Sequence, residues 1–264
     1  MAPLGHIAAR VHAISQQMKQ ALDGAPYSTV VLQCGHAGMK TGEDGPTHAD
    51  PQAYQLHAEN YAPGTAITLT PWEPQEIWPL MAAGLRARPA VLIPFVTRPD
   101  EPVLDRNQLG LAPASSATTG VYCLSEPCDG NQDGVVVLQG SGVTLVFVTE
   151  VLPRLKEEGI NLKVIYVASP ELFDRLSHEE KQSIYNEDIA RSAMGITGFT
   201  LPTMYRWIQS DLGRKYTMHP FQKGHYLGSG PGDDVIREAG LDGPGQYSRI
   251  KKYIEAIKAQ GNFE

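Results

Sequence analysis

The sequence predicts an α/β protein of two domains, each a mainly parallel sheet flanked by helices. One observation is the recurrence of short apolar runs rich in β-branched residues: TVVLQC (29–34), TAITLT (65–70), AVLIPFV (90–96), VVVLQ (135–139) and NLKVIYV (161–167). Such runs suit strands covered on both faces. Another is that segments with helical spacing separate these runs, the alternation of a parallel sheet with crossover helices. The third is an interruption. Residues 99–133 are rich in Pro, Gly, Ser, Asp and Asn, which predicts a first domain over 1–115, a linker over 116–134 and a second domain over 135–264.

Composition narrows the function classes. The 264 residues are 42% hydrophobic and 19% charged, a balance that excludes disorder and collagen. The formal net charge is −7; residues 1–132 carry 7 basic and 12 acidic side chains, residues 133–264 carry 15 and 17. Neither half has the basic excess of a nucleic-acid binder, so no nucleic-acid partner is expected. Three cysteines, Cys34, Cys123 and Cys128, are too few for a disulfide framework and fit a reducing compartment. No run reaches the ~20 apolar residues of a membrane span and the first residues lack a secretory pattern, so a soluble, cytoplasmic protein without a membrane partner is expected.

In order along the chain, Ile7, Val11, Ile14, Met18, Ala21 and Leu22 recur every three or four residues, predicting an amphipathic core helix over 7–22 stopped by Asp23-Gly24. Asp50-Pro51 supplies the N-cap and first residue of a helix over 51–60. PQEIWPLMAAGLR (74–86) reads as a helix, with Pro79 interrupting its pattern. After the Pro/Gly-rich stretch come helices over about 143–158, 178–186 and 200–211. A packing helix follows over 246–259, with Ile250, Tyr253, Ile254 and Ile257 on one face. There is no internal repeat or low-complexity tract.

Several motifs are weaker than they look. DGNQDG (129–134) imitates the opening of a calcium loop, but the twelfth position is Gly140, where a bidentate Glu belongs. Cys123 and Cys128 have no second Cys or His pair to complete a zinc site, and no metal ligands are predicted. QGSGV (139–143) either cradles a phosphate or permits tight strand-to-helix packing; it lacks the Lys-Ser/Thr of a P-loop. GSGPG (228–232) is a turn leading into a helix near 233–239.

The dense chemistry lies in C-G-H-A-G-M-K-T-G-E-D-G-P-T-H, residues 34–48. It follows a strand, at the sheet edge where α/β proteins bind ligands. His36 and His48 suit anion binding, carbonyl polarisation or proton exchange near neutrality, and Asp44 can accept hydrogen bonds from substrate hydroxyls. A solvated surface loop is the alternative. Arg98 follows the third strand at the same edge, where a guanidinium suits a phosphate; a surface arginine is the equal alternative.

At G-E-D-G-P-T-H, residues 42–48, the sequence closely resembles the signature of transketolases. These are thiamine-diphosphate enzymes of pentose phosphate chemistry that move a two-carbon ketol unit between sugar phosphates. The resemblance extends to A-R-V-H-A-I-S-Q-Q-M-K before the motif, and to V-L-Q-G-S-G-V, S-P-E-L-F-D and G-S-G-P-G-D-D-V-I-R-E-A-G-L after it. It implies an incomplete pyrimidine-binding domain followed by a transketolase C-terminal domain. By position, it implies that His36 and Arg98 hold the acceptor phosphate, that Asp44 contacts a substrate hydroxyl, and that His48 lies near the C1 hydroxyl and carbonyl end as the catalytic histidine.

The departures are specific. Ala49-Asp50-Pro51 stands where the family has Gln-Pro, which suggests a divergent branch. The catalytic Glu that acts on the aminopyrimidine ring, the aromatic pocket for that ring and the whole diphosphate-binding domain are expected to lie outside these residues, so the cofactor-binding residues are not assigned. The resemblance therefore implies a truncated or split transketolase using thiamine diphosphate and Mg²⁺, with sugar phosphates or small hydroxyaldehydes as substrates. A homodimer and a separate chain supplying the diphosphate domain are expected. The alternative is a non-catalytic interaction or regulatory module that keeps the fold.

Overall fold

A computed structural model describes residues 2–35, 52–97, 100–128 and 132–261. The first sheet has the order β1-β3-β2, all parallel, with β1 at Val30–Val31, β2 at Ala66–Leu69 and β3 at Val91–Pro94. The second has the order β4-β6-β5-β7, with β4 at Val121–Ser125, β5 at Gly134–Gln139, β6 at Leu162–Val167 and β7 at Ala193–Thr197. β4 runs antiparallel to β6 and the other pairs are parallel. The mainly parallel α/β architecture predicted from the apolar runs is the one found. β3 and β5 are buried along their whole length, as strands without a polar face must be.

The first helix, α1 (Ala2–Asp23), forms where its periodicity places it, but its orientation is the reverse of the prediction. Ile7, Val11, Ile14, Met18 and Leu22 are exposed, from 49% for Ile14 to 79% for Leu22, whereas Ala9 and Ala13 are buried at 4% each. Small residues let the helix lie close to the sheet, and the bulky stripe is left on the outside. α2 (Gln52–Ala58) packs through Tyr54, whose ring stacks on Phe199 at 4.4 Å and meets Phe95 edge-on at 5.2 Å. α3 (Ile77–Arg86) follows a 3₁₀ turn at Pro74–Glu76 and is unbroken. Pro79 falls in its first turn, where a missing N–H removes no intrahelical bond.

In the second sheet, β5 leads into α4 (Ser141–Val146), a π-helical turn over Phe147–Val151 and α5 (Leu152–Glu157). The turn widens just before Pro153, which cannot donate to the preceding turn. Short capped helices follow: α6 (Pro170–Asp174), α7 (His178–Ile184), with a Ser177/Glu180 capping box, and α8 (Glu187–Arg191). α9 (Asp211–Tyr216), α10 (Gly232–Ala239) and α11 (Gly243–Gly261) complete the chain.

Two expectations are corrected. Residues 116–134 are not only a linker, because β4 lies within them and forms an edge of the second sheet through antiparallel pairing with β6. Its five residues are flanked by Gly, Pro and Asp, which hid the strand. The helix expected over 200–211 is a 3₁₀ turn at Leu201–Met204, with α9 starting only at Asp211 after its Ser210 cap; Pro202 and Ser210-Asp211 set those limits.

The two sheets meet along β2. The Thr70 N–H donates to Ala168 O at 2.7 Å and its hydroxyl to Val167 O at 3.0 Å, while the Tyr166 hydroxyl donates to Thr70 O at 2.5 Å. An edge strand that would present bare backbone is thereby covered. One apolar core, including Ile67, Leu69 and Leu92 of the first sheet and Val136, Leu138 and Val164 of the second, runs through the junction.

Candidate functional site

The C-terminal ends of β1 and β3 lie side by side. The Cys34 N–H donates to Pro94 O at 2.9 Å and the Val96 N–H to Cys34 O at 2.9 Å, so Cys34 is paired with Phe95. The sequence of the dense polar loop starts two residues after Cys34, and Arg98 follows three residues after Phe95. The two stretches thus depart from adjacent strand ends. His36, Asp44, His48 and Arg98 themselves lie outside the described residues.

Beside those ends is a cleft of about 330 Å³. Trp72 and Glu73 reach it from the end of β2, Val96 and Thr97 from the end of β3, and Ser141 from the end of β5. Asp100 and Glu101 close it, and the Ser141 hydroxyl donates to Glu101 Oε1 at 3.4 Å. Strand ends from both sheets converge here, the usual place for a ligand in α/β folds. Gly140 makes the turn into α4 at φ +99°, where an added Cβ would stand 3.3 Å from the backbone nitrogen of Gly198. QGSGV therefore serves close packing, and Ser141 emerges at the cleft.

Under the cleft lies a polar network that the sequence reading missed. Arg106 Nε contacts Glu73 Oε1 at 2.6 Å and Arg106 Nη2 contacts Glu76 Oε1 at 2.8 Å. The Tyr122 hydroxyl donates to Glu76 and accepts from the Trp72 indole N–H at 3.0 Å. The Arg106 guanidinium also lies over the Trp72 ring, 4.8 Å from its centroid. Burial pushes the Glu76 carboxyl above the usual range, with Arg106 and Tyr122 pulling it back. Burial acts against the charge on Arg106, but Tyr122 and the two carboxylates outweigh it and hold its pKa above the ordinary value. The network is bedding for the cleft; its members come from segments up to 50 residues apart, so no local pattern announces it.

A second carboxyl, the partly buried Glu171, lies at the junction of the sheets near His57. Burial pushes it up to about 7 and pushes His57 down to about 4, with nearby His6 adding to that shift. His57 is 4% exposed and its Nδ1 has no partner among the described residues.

Residues 129–131 of the calcium-like stretch lie outside the described residues, while Asp133 accepts from the Asn161 N–H at 2.9 Å and pairs with Lys258 at 2.8 Å. The Cys123 thiol is half-buried, pushed up to about 12 by burial and by Glu126, and donates to Ser125 O. Residues 228–231 lead into α10, whose first residue is Gly232. Among the described residues no group of three or more His, Cys, Asp or Glu side chains can hold a metal ion. The described side chains thus do not fit a magnesium diphosphate.

This fold and this cleft define an α/β protein with an open cleft at the C-terminal ends of its strands. No protein-family model matches the chain. In sequence it is 26% identical over 243 residues to a transketolase of Bacillus subtilis, covering 89% of this chain and 32% of that protein. It is 34% identical over 154 residues to a transketolase of Streptococcus pyogenes, covering 56% and 19%. In structure it matches a transketolase from Leishmania mexicana with a TM-score of 0.70 at 16% identity, over 94% of this chain and 32% of that one. It also matches a transketolase variant from Pichia stipitis with a TM-score of 0.66 at 21% identity, over 88% and 30%. The chain is thus similar to transketolases in sequence and in fold over most of its own length. It spans about a third of the length of the first of these curated relatives.

Proposed function

We propose that the chain is the substrate-binding part of a transketolase-type transferase, moving a two-carbon ketol unit from a ketose donor to an aldose acceptor. The observation that carries this reading is the adjacency of Cys34 and Phe95, from which the two stretches bearing His36, Asp44, His48 and Arg98 depart together. In this reading His36 and Arg98 neutralise the phosphate of a sugar phosphate, a task suited to imidazole and guanidinium donors. Asp44 accepts from a substrate hydroxyl. His48 serves as the catalytic histidine, donating to the oxygen at the reacting end and exchanging its proton. Small hydroxyaldehydes would use the same site without the phosphate contacts.

Thiamine diphosphate and Mg²⁺ belong to this reading as cofactors, with a separate chain supplying the diphosphate-binding domain. The two sheets would correspond to a pyrimidine-type domain over 1–115 and a C-terminal domain over 135–264. A homodimer is part of the proposal, supported by the exposed stripe of α1, since a contiguous apolar face on a folded surface marks an interaction site. No helix among the described residues is long and apolar enough to cross a membrane, and a count of three cysteines fits the cytoplasm.

The test is ketol transfer from hydroxypyruvate to a phosphorylated aldose, with thiamine diphosphate and Mg²⁺, by the chain reconstituted with a polypeptide carrying the diphosphate-binding domain. His48→Ala and Arg98→Ala are each expected to lower kcat/KM by about tenfold or more. Arg98→Ala should act mainly through KM for the phosphorylated acceptor and little with an unphosphorylated one. Equal kcat/KM in wild type and both variants would remove the assigned roles, and no transfer by the reconstituted wild type would leave a non-catalytic module of the same fold.

A further inference from the structure

We infer that a cavity at the opposite end of the first sheet binds a small phosphate monoester between the guanidinium groups of Arg88 and Arg175. The cavity, about 380 Å³, is lined by the segments that lead into the three strands: Tyr27 before β1, Gly64 before β2 and Arg88 before β3, with Gln20 of α1 and Arg175 beyond α6. Because β1, β2 and β3 are parallel, this mouth is at their N-terminal ends, away from the cleft and the stretches proposed to carry out transfer.

The electrostatics point to an anion. Two guanidinium groups line the cavity and no carboxylate does, in a chain whose net charge is −7. Among the described residues neither guanidinium has an ion-pair or side-chain hydrogen-bond partner. The nearest acid in sequence, Asp174, is held by Arg206, with Nη1 to Oδ2 at 2.9 Å. Two exposed arginines without an acidic partner, both lining one space, suit a dianion, whose oxygens a guanidinium can bind bidentately.

The backbone adds an independent sign. Arg88 is the one non-glycine among the described residues with positive φ, at 52°, whereas the turns before the other two strands use glycine there: Gly24 at 64° and Gly64 at 83°. A side chain in that region is disfavoured, and strained residues of this kind cluster at ligand sites. The volume falls within the range of small-molecule pockets. Tyr27 and Gln20 offer a ring, a hydroxyl and an amide to the organic part, which favours an ester over the bare ion.

The test is calorimetric titration of the full chain with glycerol 3-phosphate, and with succinate as a dianion lacking phosphate. Measurements use wild type, Arg88→Gly, Arg175→Gln and Arg98→Ala. Saturable binding of glycerol 3-phosphate is expected in wild type and in Arg98→Ala, weakened about tenfold or more in each of the other two. The unliganded melting temperature of Arg88→Gly should be no lower than that of wild type, because glycine relieves the strained position. Because Arg98 is proposed to hold a phosphate at the other end of the sheet, the deciding comparison is made with Arg98→Ala present throughout: binding that then survives both Arg88→Gly and Arg175→Gln, or that is absent before either is introduced, overturns the site. Tighter binding of succinate than of the ester overturns the ligand class.

Discussion

Glu171 Oε2 accepts the backbone N–H of Thr68 at 3.0 Å and the hydroxyl of the same residue at 2.8 Å. The carboxyl of α6, in the second half of the chain, thus stands in for a missing neighbour of β2, in the first. This contact and the Thr70–Ala168 bond below it dock the two sheets.

Because burial raises the Glu171 carboxyl from 4.5 to about 7, the folded state favours its protonated form. Its ionisation costs no stability below pH 4.5; the cost accrues as pH rises from there through 7 and is constant above. His57, pushed down to about 4, acts in the other direction: stability is lost as pH falls from about 6.5 through 4. Glu171→Gln keeps an acceptor for Thr68 and removes only the carboxyl's part. Urea unfolding at several pH values should show the variant gaining on wild type by roughly 1–3 kcal/mol between pH 4.5 and pH 8. A constant difference across that range would mean that Glu171 does not titrate as described.

The network under the cleft gives a second prediction. Arg106 is 5% exposed and holds Glu73 and Glu76, both buried. Arg106→Met fills similar volume but leaves two buried carboxyls without their cation, and should lower the unfolding free energy by about 3–5 kcal/mol at pH 7.5. The loss should shrink as pH falls, because burial raises the pKa of Glu76 and protonation removes the charge left without its cation. Arg106→Met combined with Glu76→Gln should recover part of it, a non-additive result typical of directly coupled groups. A loss under about 1 kcal/mol in the single variant would show that the pair is not buried as a unit.

The limits of reading this chain from its sequence follow the range of the interactions. Strands β2, β3, β5 and β6 were legible because burial on both faces makes them locally apolar. β7, Ala193–Thr197, was not read as a strand. Its middle residue, Gly195, leaves the space into which Met204 packs, with the methionine Cε 2.6 Å from where a Cβ would be, and glycine weakens the strand signal. The pairing of Glu171 with Thr68 spans 103 residues, as invisible locally as the Arg106 network. For the candidate site, chemistry was legible before geometry: residue types in 34–48 and at 98 named the groups, and the Cys34–Phe95 pairing supplies the adjacency of the strands that carry them.

The first helix shows periodicity giving the element but not its orientation, and this leads to a prediction about assembly. Its 3.6-residue period is satisfied twice, once by Ala9 and Ala13 on the buried face and once by Ile7, Val11, Ile14 and Met18 on the exposed one. Val30 and Val31 of β1 extend the apolar surface at 42% and 47% exposure. If this face pairs with a second copy, wild type should sediment as a dimer at micromolar concentration. Val11→Asp with Ile14→Asp should weaken the dimer by about 100-fold or more, since burying each side chain is worth ~1.5–3 kcal/mol and the pair occurs on both copies. The same variant should melt as a monomer with its fold intact, because Val11 and Ile14 are exposed at 63% and 49% in the single chain. Ala13→Asp, at a position 4% exposed, should instead lower monomer stability. A wild type that is monomeric at high concentration, or a doubly substituted chain that stays dimeric, would place the second copy elsewhere and leave the stripe for a different partner.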